Sequence, residues 1–162
     1  MSASRGLATV VLALSSAALG SCAPLVTQLV VVLRTDLPMN ALRSVEATVV
    51  REGSIDPIVS HSVALPGPLW PLSFGVVAAR PEDTRPLLVI VTLRFQDSVG
   101  VATINQLARV SLRPSKILQL DMTLERRCAL HAGDPVRCVF PLTCRATMCV
   151  SMDRDNLPEL NP

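Results

Sequence analysis

Leu87, Val89, Val91, Leu93 and Phe95 recur at every second position, and this alternation narrows the possible folds of the chain more than anything else in it. A period of two places successive side chains on opposite faces of an extended backbone, whereas a helix would repeat its apolar residues at three and four. Val89, Ile90 and Val91 put β-branched residues on both faces at the start of the run, which predicts a strand in the middle of a sheet. The same alternation in Leu29, Val31 and Leu33, and again in Val45, Ala47 and Val49, predicts two further strands. Leu72, Phe74, Val76 and Ala78 predict another, and Ser62 to Leu65 a weaker one. Leu107 to Leu112 and Ile117 to Leu124 flank Arg113-Pro114-Ser115-Lys116 and are expected to form a hairpin. Its inward face would carry Ala108, Val110 and Leu112 on one arm and Leu118, Leu120, Met122 and Leu124 on the other.

Turn signals separate these runs at Asp36-Leu37-Pro38, Glu52-Gly53-Ser54, Pro66-Gly67-Pro68, Arg80-Pro81-Glu82-Asp83 and Asp97 to Gly100. About seven short strands in roughly 100 residues suit two sheets that bury their apolar faces against each other. The expected fold is all-β, an antiparallel sandwich that is immunoglobulin-like or transthyretin-like in outline. Past the N-terminal segment no stretch sustains a helical period.

That N-terminal segment has its own logic. Arg5 precedes an uncharged apolar run from Leu7 to Leu19, which is followed by small residues at Gly20 and Ser21. This is the layout of a secretory signal peptide, and its apolar run is shorter than the roughly 20 residues a membrane-spanning helix needs. Leu19-Gly20-Ser21-Cys22 also sets a leucine three residues before a cysteine, and in this it resembles the lipobox of bacterial lipoproteins. The resemblance implies cleavage before Cys22 and a diacylglycerol on its thiol. Two or more acyl chains hold a protein on a membrane where a single chain is marginal. The next residue is Ala23 in place of the aspartate that retains enterobacterial lipoproteins in the inner membrane, so the resemblance points to the outer membrane.

Cysteine parity agrees with this reading. Five cysteines are awkward in an exported protein, but with lipid on Cys22 the remaining Cys128, Cys138, Cys144 and Cys149 can pair completely. All four lie near the C-terminus, so two disulfides are expected there and the body is expected to build its core without cysteine. Their spacing does not choose among the three pairings, and it lacks the repeated two-residue interval of common zinc modules. The expected organisation is a signal peptide over 1–21, an anchor and tether over 22–27, a β-sandwich over 28–125 and a disulfide-stapled tail over 126–162.

The order of these features is similar to a group of uncharacterised lipoproteins abundant in myxobacteria. The likeness rests on the lipobox, Thr27-Gln28-Leu29-Val30-Val31-Val32, Leu72-Ser73-Phe74-Gly75-Val76, the segment Arg109 to Leu124, and the cysteine-rich end. Thr143-Cys144 and Cys149-Val150 match the tail of that group, whose usual glycine is missing here. The likeness therefore carries no disulfide scheme and no activity.

Chemistry is sparse elsewhere. Without Arg5 the mature chain holds 14 basic residues against 13 acidic, in scattered positions with few aromatics, so nucleic acid is not an expected partner. His61 and His131 are the only histidines, and Ser60-His61-Ser62 is no ready-made dyad because neighbours on a strand face opposite ways. His61 is read as an exposed residue of a loop or an edge strand. Asp153-Arg154-Asp155-Asn156 opens like a calcium loop, but Pro158 stands where glycine is needed, so Asp153, Asp155 and Glu159 are read as a solvated tail. Met148 and Met152 are expected to cover one small apolar patch. No catalytic residue, cofactor or metal is expected. The chain reads as a non-catalytic binding or structural module of the bacterial envelope, held on the membrane through Cys22, with an envelope protein or glycan as partner. The alternative is a secreted or periplasmic hydrolase with an unrecognised site.

Overall fold

A computed structural model describes residues 26–64, 70–78, 84–135 and 138–160. The expected signal peptide, Cys22 and the start of the tether lie outside the described residues. Eleven strands follow in chain order: β1 (Gln28–Thr35), β2 (Leu42–Arg51), β3 (Pro57–Ala64), β4 (Leu72–Val77), β5 (Leu87–Gln96), β6 (Val101–Val110), β7 (Ile117–Leu124), β8 (Leu130–His131), β9 (Leu142–Arg145), β10 (Met148–Ser151) and β11 (Glu159–Leu160). The only helical elements among the described residues are two 3-10 turns, η1 (Met39–Ala41) and η2 (Arg126–Cys128).

The strands form a sandwich of two main sheets, ordered β11-β7-β1-β4 and β3-β2-β5-β6-β8, with β9 and β10 paired separately. An immunoglobulin domain groups its first, second, fourth and fifth strands against the third, sixth and seventh. Here β2 and β5 lie with β3 and β6, while β1, β4 and β7 form the opposite sheet, which leaves the transthyretin-like outline. The predicted inward residues fill the space between: Leu29, Val31, Leu33, Val45, Val49, Val89, Val91, Leu93, Leu118, Leu120 and Leu124 are all buried in one cluster. β5 lies between β2 and β6, in the middle of its sheet as its sequence predicts.

Three expectations need correction. First, β6 and β7 do not form a hairpin. β6 pairs with β5 and β8, whereas β7 belongs to the other sheet and pairs with β1 and β11. Alternation cannot tell a hairpin from an arch between sheets, because both turn the two apolar faces toward one core. The connection instead carries Ser115 at φ 57°, and the Ser115 amide donates to the Thr27 hydroxyl at 2.8 Å. Second, the sheets are not wholly antiparallel, since β1 and β7 run parallel from Gln28↔Ile117 to Thr35↔Leu124.

Third, the tail is not separate from the body, and the core is not free of cysteine. Disulfides join Cys128 to Cys144 and Cys138 to Cys149, and Cys128 and Cys144 belong to the buried cluster. The tail satisfies outward backbone groups of both main sheets. The Leu107 amide donates to the Thr143 hydroxyl at 3.0 Å, the Arg109 amide to the Met152 carbonyl at 2.8 Å, and the Gln119 amide to the Pro158 carbonyl at 2.9 Å. A position after Leu124 marks a change in cysteine content, but packing continues across it. Two of the three tail carboxylates are engaged, Asp153 with Arg109 and Glu159 with Lys116. Met148 and Met152 share no patch, because Met152 is buried and Met148 is 63% exposed.

Candidate functional site

The two flanks of the sandwich differ. Strand edges carry unpaired amides and carbonyls that attract other strands. On one flank the tail closes the edges of β6 and β7 through the hydrogen bonds above and the short strands β8 and β11. On the other flank β3 and β4 are the outermost strands of their sheets, with no further strand beside either among the described residues.

Between β3 and β4 the two sheets part around a cleft of about 220 Å³, lined by Leu33, Val45, Ala47, Val63, Leu72 and Phe74 with His61 and Ser73 as its polar members. Its floor is the inward face of β1 and β2, and its rims are the two edge strands. His61 on β3 and Phe74 on β4 meet across it, ring centroids 5.7 Å apart in an edge-on arrangement at 61°. Such contacts exploit the negative face and positive edge of aromatic rings. His61 is exposed, as its sequence context predicts, and of the two expected settings, loop or edge strand, it takes the edge strand; its contact with Phe74 is the part that sequence does not show. A mostly apolar concavity with a few polar groups is the usual composition of a binding site. Nearby at the start of β4, the indole nitrogen of Trp70 is buried without a hydrogen-bond partner.

Two other cavities are polar. One of about 210 Å³ lies under the tail, lined by Gln106, Asp121, Thr123, Glu125, Arg145 and Arg154 among others. Gln106 donates to the Thr123 and Cys144 carbonyls and so ties β6 to the opposite sheet and to the tail. The signal for it was legible: a glutamine at an inward position of an otherwise apolar alternation. Burial, and then the charge of Arg145, lowers the pKa of Arg154, which donates to the Ser151 and Asp153 carbonyls. The other cavity, about 350 Å³, opens at the end of the sandwich where β1 leads into β2, with Asn40, Arg43, Gln96, Ser98 and Arg126 on its walls. A bulge between Leu42 and Ser44 takes Arg43 out of register there.

His131 serves as a strut. Its Nε2 lies 3.1 and 3.2 Å from the two Asp97 oxygens, and its Nδ1 faces Asp134 at 3.7 Å. Among the described residues neither histidine ring is hydrogen-bonded to a serine or threonine hydroxyl. Asp97 also accepts the amides of Val99 at 2.9 Å and Gly100 at 3.1 Å. The Val99 amide foremost, then the His131 ring, holds the Asp97 carboxyl below its ordinary 3.8. A depressed carboxylate contributes stability above its unfolded pKa and loses it as pH falls through the folded value. In urea titrations the parent protein is therefore expected to exceed Asp97→Asn in stability near neutrality, with the gap closing below about pH 4. A gap that stays constant into strong acid would show that the Asp97 charge is not what holds this loop.

The four tail cysteines predicted to pair are brought together as two disulfides, and Cys22 lies outside the described residues. Comparison with family models, with curated proteins and with solved structures finds no match to this chain.

Proposed function

We propose that this chain is a lipid-anchored protein of the bacterial cell envelope, tethered through Cys22 and acting as a non-catalytic binding module whose open flank takes an extended segment of a protein partner. The observation that carries this reading is the apolar cleft between β3 and β4, edge strands with no further strand beside them among the described residues. A peptide laid along such an edge gains main-chain hydrogen bonds from the strand and side-chain contacts from the cleft, which is the physics of β-strand addition. The apolar lining favours a peptide over a glycan. The tether rests on Leu19-Gly20-Ser21-Cys22, and Ala23 supports an outer-membrane address by resemblance.

The test is a photo-crosslinking residue placed at His61 in the lipidated protein within its own envelope, with Met148 on the sealed flank as the control position. Discrete adducts are expected from position 61 and not from 148, together with acyl labelling that disappears in Cys22→Ser. Equal crosslinking from both positions would sink the flank as the binding surface. Acyl labelling that survives Cys22→Ser would sink the anchor.

A further inference from the structure

The point where the tether leaves the sandwich is rigid. Thr27 is buried, its hydroxyl accepts the Ser115 amide at 2.8 Å, and its carbonyl accepts the Ala78 amide at 3.0 Å. The next residue, Gln28, is held by a bond from its amide to the Lys116 carbonyl at 3.0 Å. From Val26, the first described residue, to Cys22 is four residues. Even fully extended, four residues reach only about 14 Å. Acyl chains on Cys22 would therefore hold one particular end of the sandwich within that distance of the bilayer: the end formed by the start of β1, the 52–56 loop and the 111–116 turn.

That end displays an apolar side chain on a built platform. Ile55 is 95% exposed, the most exposed of the large apolar residues described. It sits on a turn closed by a bond from the Ser54 amide to the Arg51 carbonyl at 3.0 Å, with Gly53 at φ 80° and the Asp56 amide bonded to the Ser54 hydroxyl at 3.1 Å. The turn is fixed to the sandwich by the Glu52 amide, which donates to the Pro86 carbonyl at 2.9 Å. Val26, Ile58 and Val77 are exposed around the same end. Two of its carboxylates are paired, Glu52 with Arg109, which it shares with Asp153, and Glu159 with Lys116, which lessens their repulsion from anionic headgroups, while the Arg113 side chain stands exposed on the neighbouring turn. Asp56 is exposed there too, and Glu52 and Glu159 keep part of their side chains in solvent.

We infer that this end of the sandwich is a membrane-contact face, with Ile55 entering the lipid interface and the occupant of the face being the surface of the bilayer that holds the anchor. The inference rests on the lipidation of Cys22 proposed above. The face lies at the opposite end of β1 from the polar cavity near Arg43, so it also sets which end points away from the membrane.

The test uses the full lipidated protein in vesicles of phosphatidylethanolamine and phosphatidylglycerol whose acyl chains are brominated at defined depth. Ile55→Trp and, as control at the opposite end, Val99→Trp are compared with the parent, whose own Trp70 sets the baseline. The Ile55→Trp signal is expected to shift to the blue and lose intensity to the brominated chains, while the Val99→Trp signal stays at its value in buffer. Equal quenching at both sites, stronger quenching at Val99→Trp, or none at Ile55→Trp overturns the contact face. Mass analysis of the same samples separates the two claims: an acylated Cys22 with an unquenched Ile55→Trp refutes the face alone, and an unacylated Cys22 refutes the anchor and the face with it.

Discussion

Replacing Cys128 and Cys144 together with alanine is expected to destabilise the whole sandwich by about 3 kcal/mol, the loop-closure contribution of a crosslink spanning some 15 residues. The bond joins positions 16 apart and lies in the buried cluster. Its effect should therefore extend beyond the tail. Cys144 offers its carbonyl to the buried Gln106, and the neighbouring Thr143 hydroxyl accepts the Leu107 amide, so loosening Cys144 uncovers the edge of β6. Hydrogen exchange is expected to accelerate at Leu107 and Arg109 in this double variant. Removing the more exposed Cys138–Cys149 bond should instead loosen β9 and β10 and leave β6 near its parent rate. Unchanged exchange along β6 in the Cys128→Ala/Cys144→Ala protein would mean that the tail is a detachable appendage after all.

Phe95→Ala is expected to cost about 3–5 kcal/mol and to lower the thermal midpoint by on the order of 10 °C. Phe95 is the penultimate residue of β5, pairs with Leu42 on one side and Ala102 on the other, and is among the largest fully buried side chains. It also borders the polar cavity of about 350 Å³. Truncation would join a new void to that polar cavity and open the end of the core next to Leu42 and Leu93 to water. Phe95→Leu keeps most of the volume and should recover much of the loss. A Phe95→Ala protein with the parent's denaturation curve would show that this end of the sandwich is loosely packed.

The inward faces were legible because alternation reports burial directly. Every predicted inward residue of β1, β2 and β5 is buried, and so are Ala108, Val110 and Leu112 with the inward set of β7. The sequence predicts β3 only from Ser62 onward, whereas the strand begins at Pro57. Only Val59 and Val63 are half-buried, with the exposed His61 between them on the same face, so its apolar alternation is weak. β6 was read from Leu107 and begins at Val101, because Gln106 interrupts the apolar series that Ala102 and Ile104 start. Sheet membership was not legible at all: the pairing partner of β7 lies at the other end of the chain, and nothing local encodes it. The same applies to the site. The cleft between β3 and β4 exists because two edges from different sheets stand side by side, and the meeting of His61 with Phe74 joins residues that belong to separate hairpin-like runs in the sequence.

The parallel pairing of β1 with β7 places a timing constraint on the molecule. A ribosome or a translocation channel delivers β1 first, yet both of its sheet neighbours come later: β4 at Leu72–Val77 and β7 at Ile117–Leu124. Once made, β4 can pair antiparallel with one edge of β1, but the other edge stays open until β7 follows, while β2, β5 and β6 assemble antiparallel among themselves. Contacts of such long range form slowly and leave apolar edges open in the meantime. The first strand to emerge thus keeps one edge open until β7 is made, and whatever handles the nascent chain must shield that edge from other chains through most of the protein's synthesis.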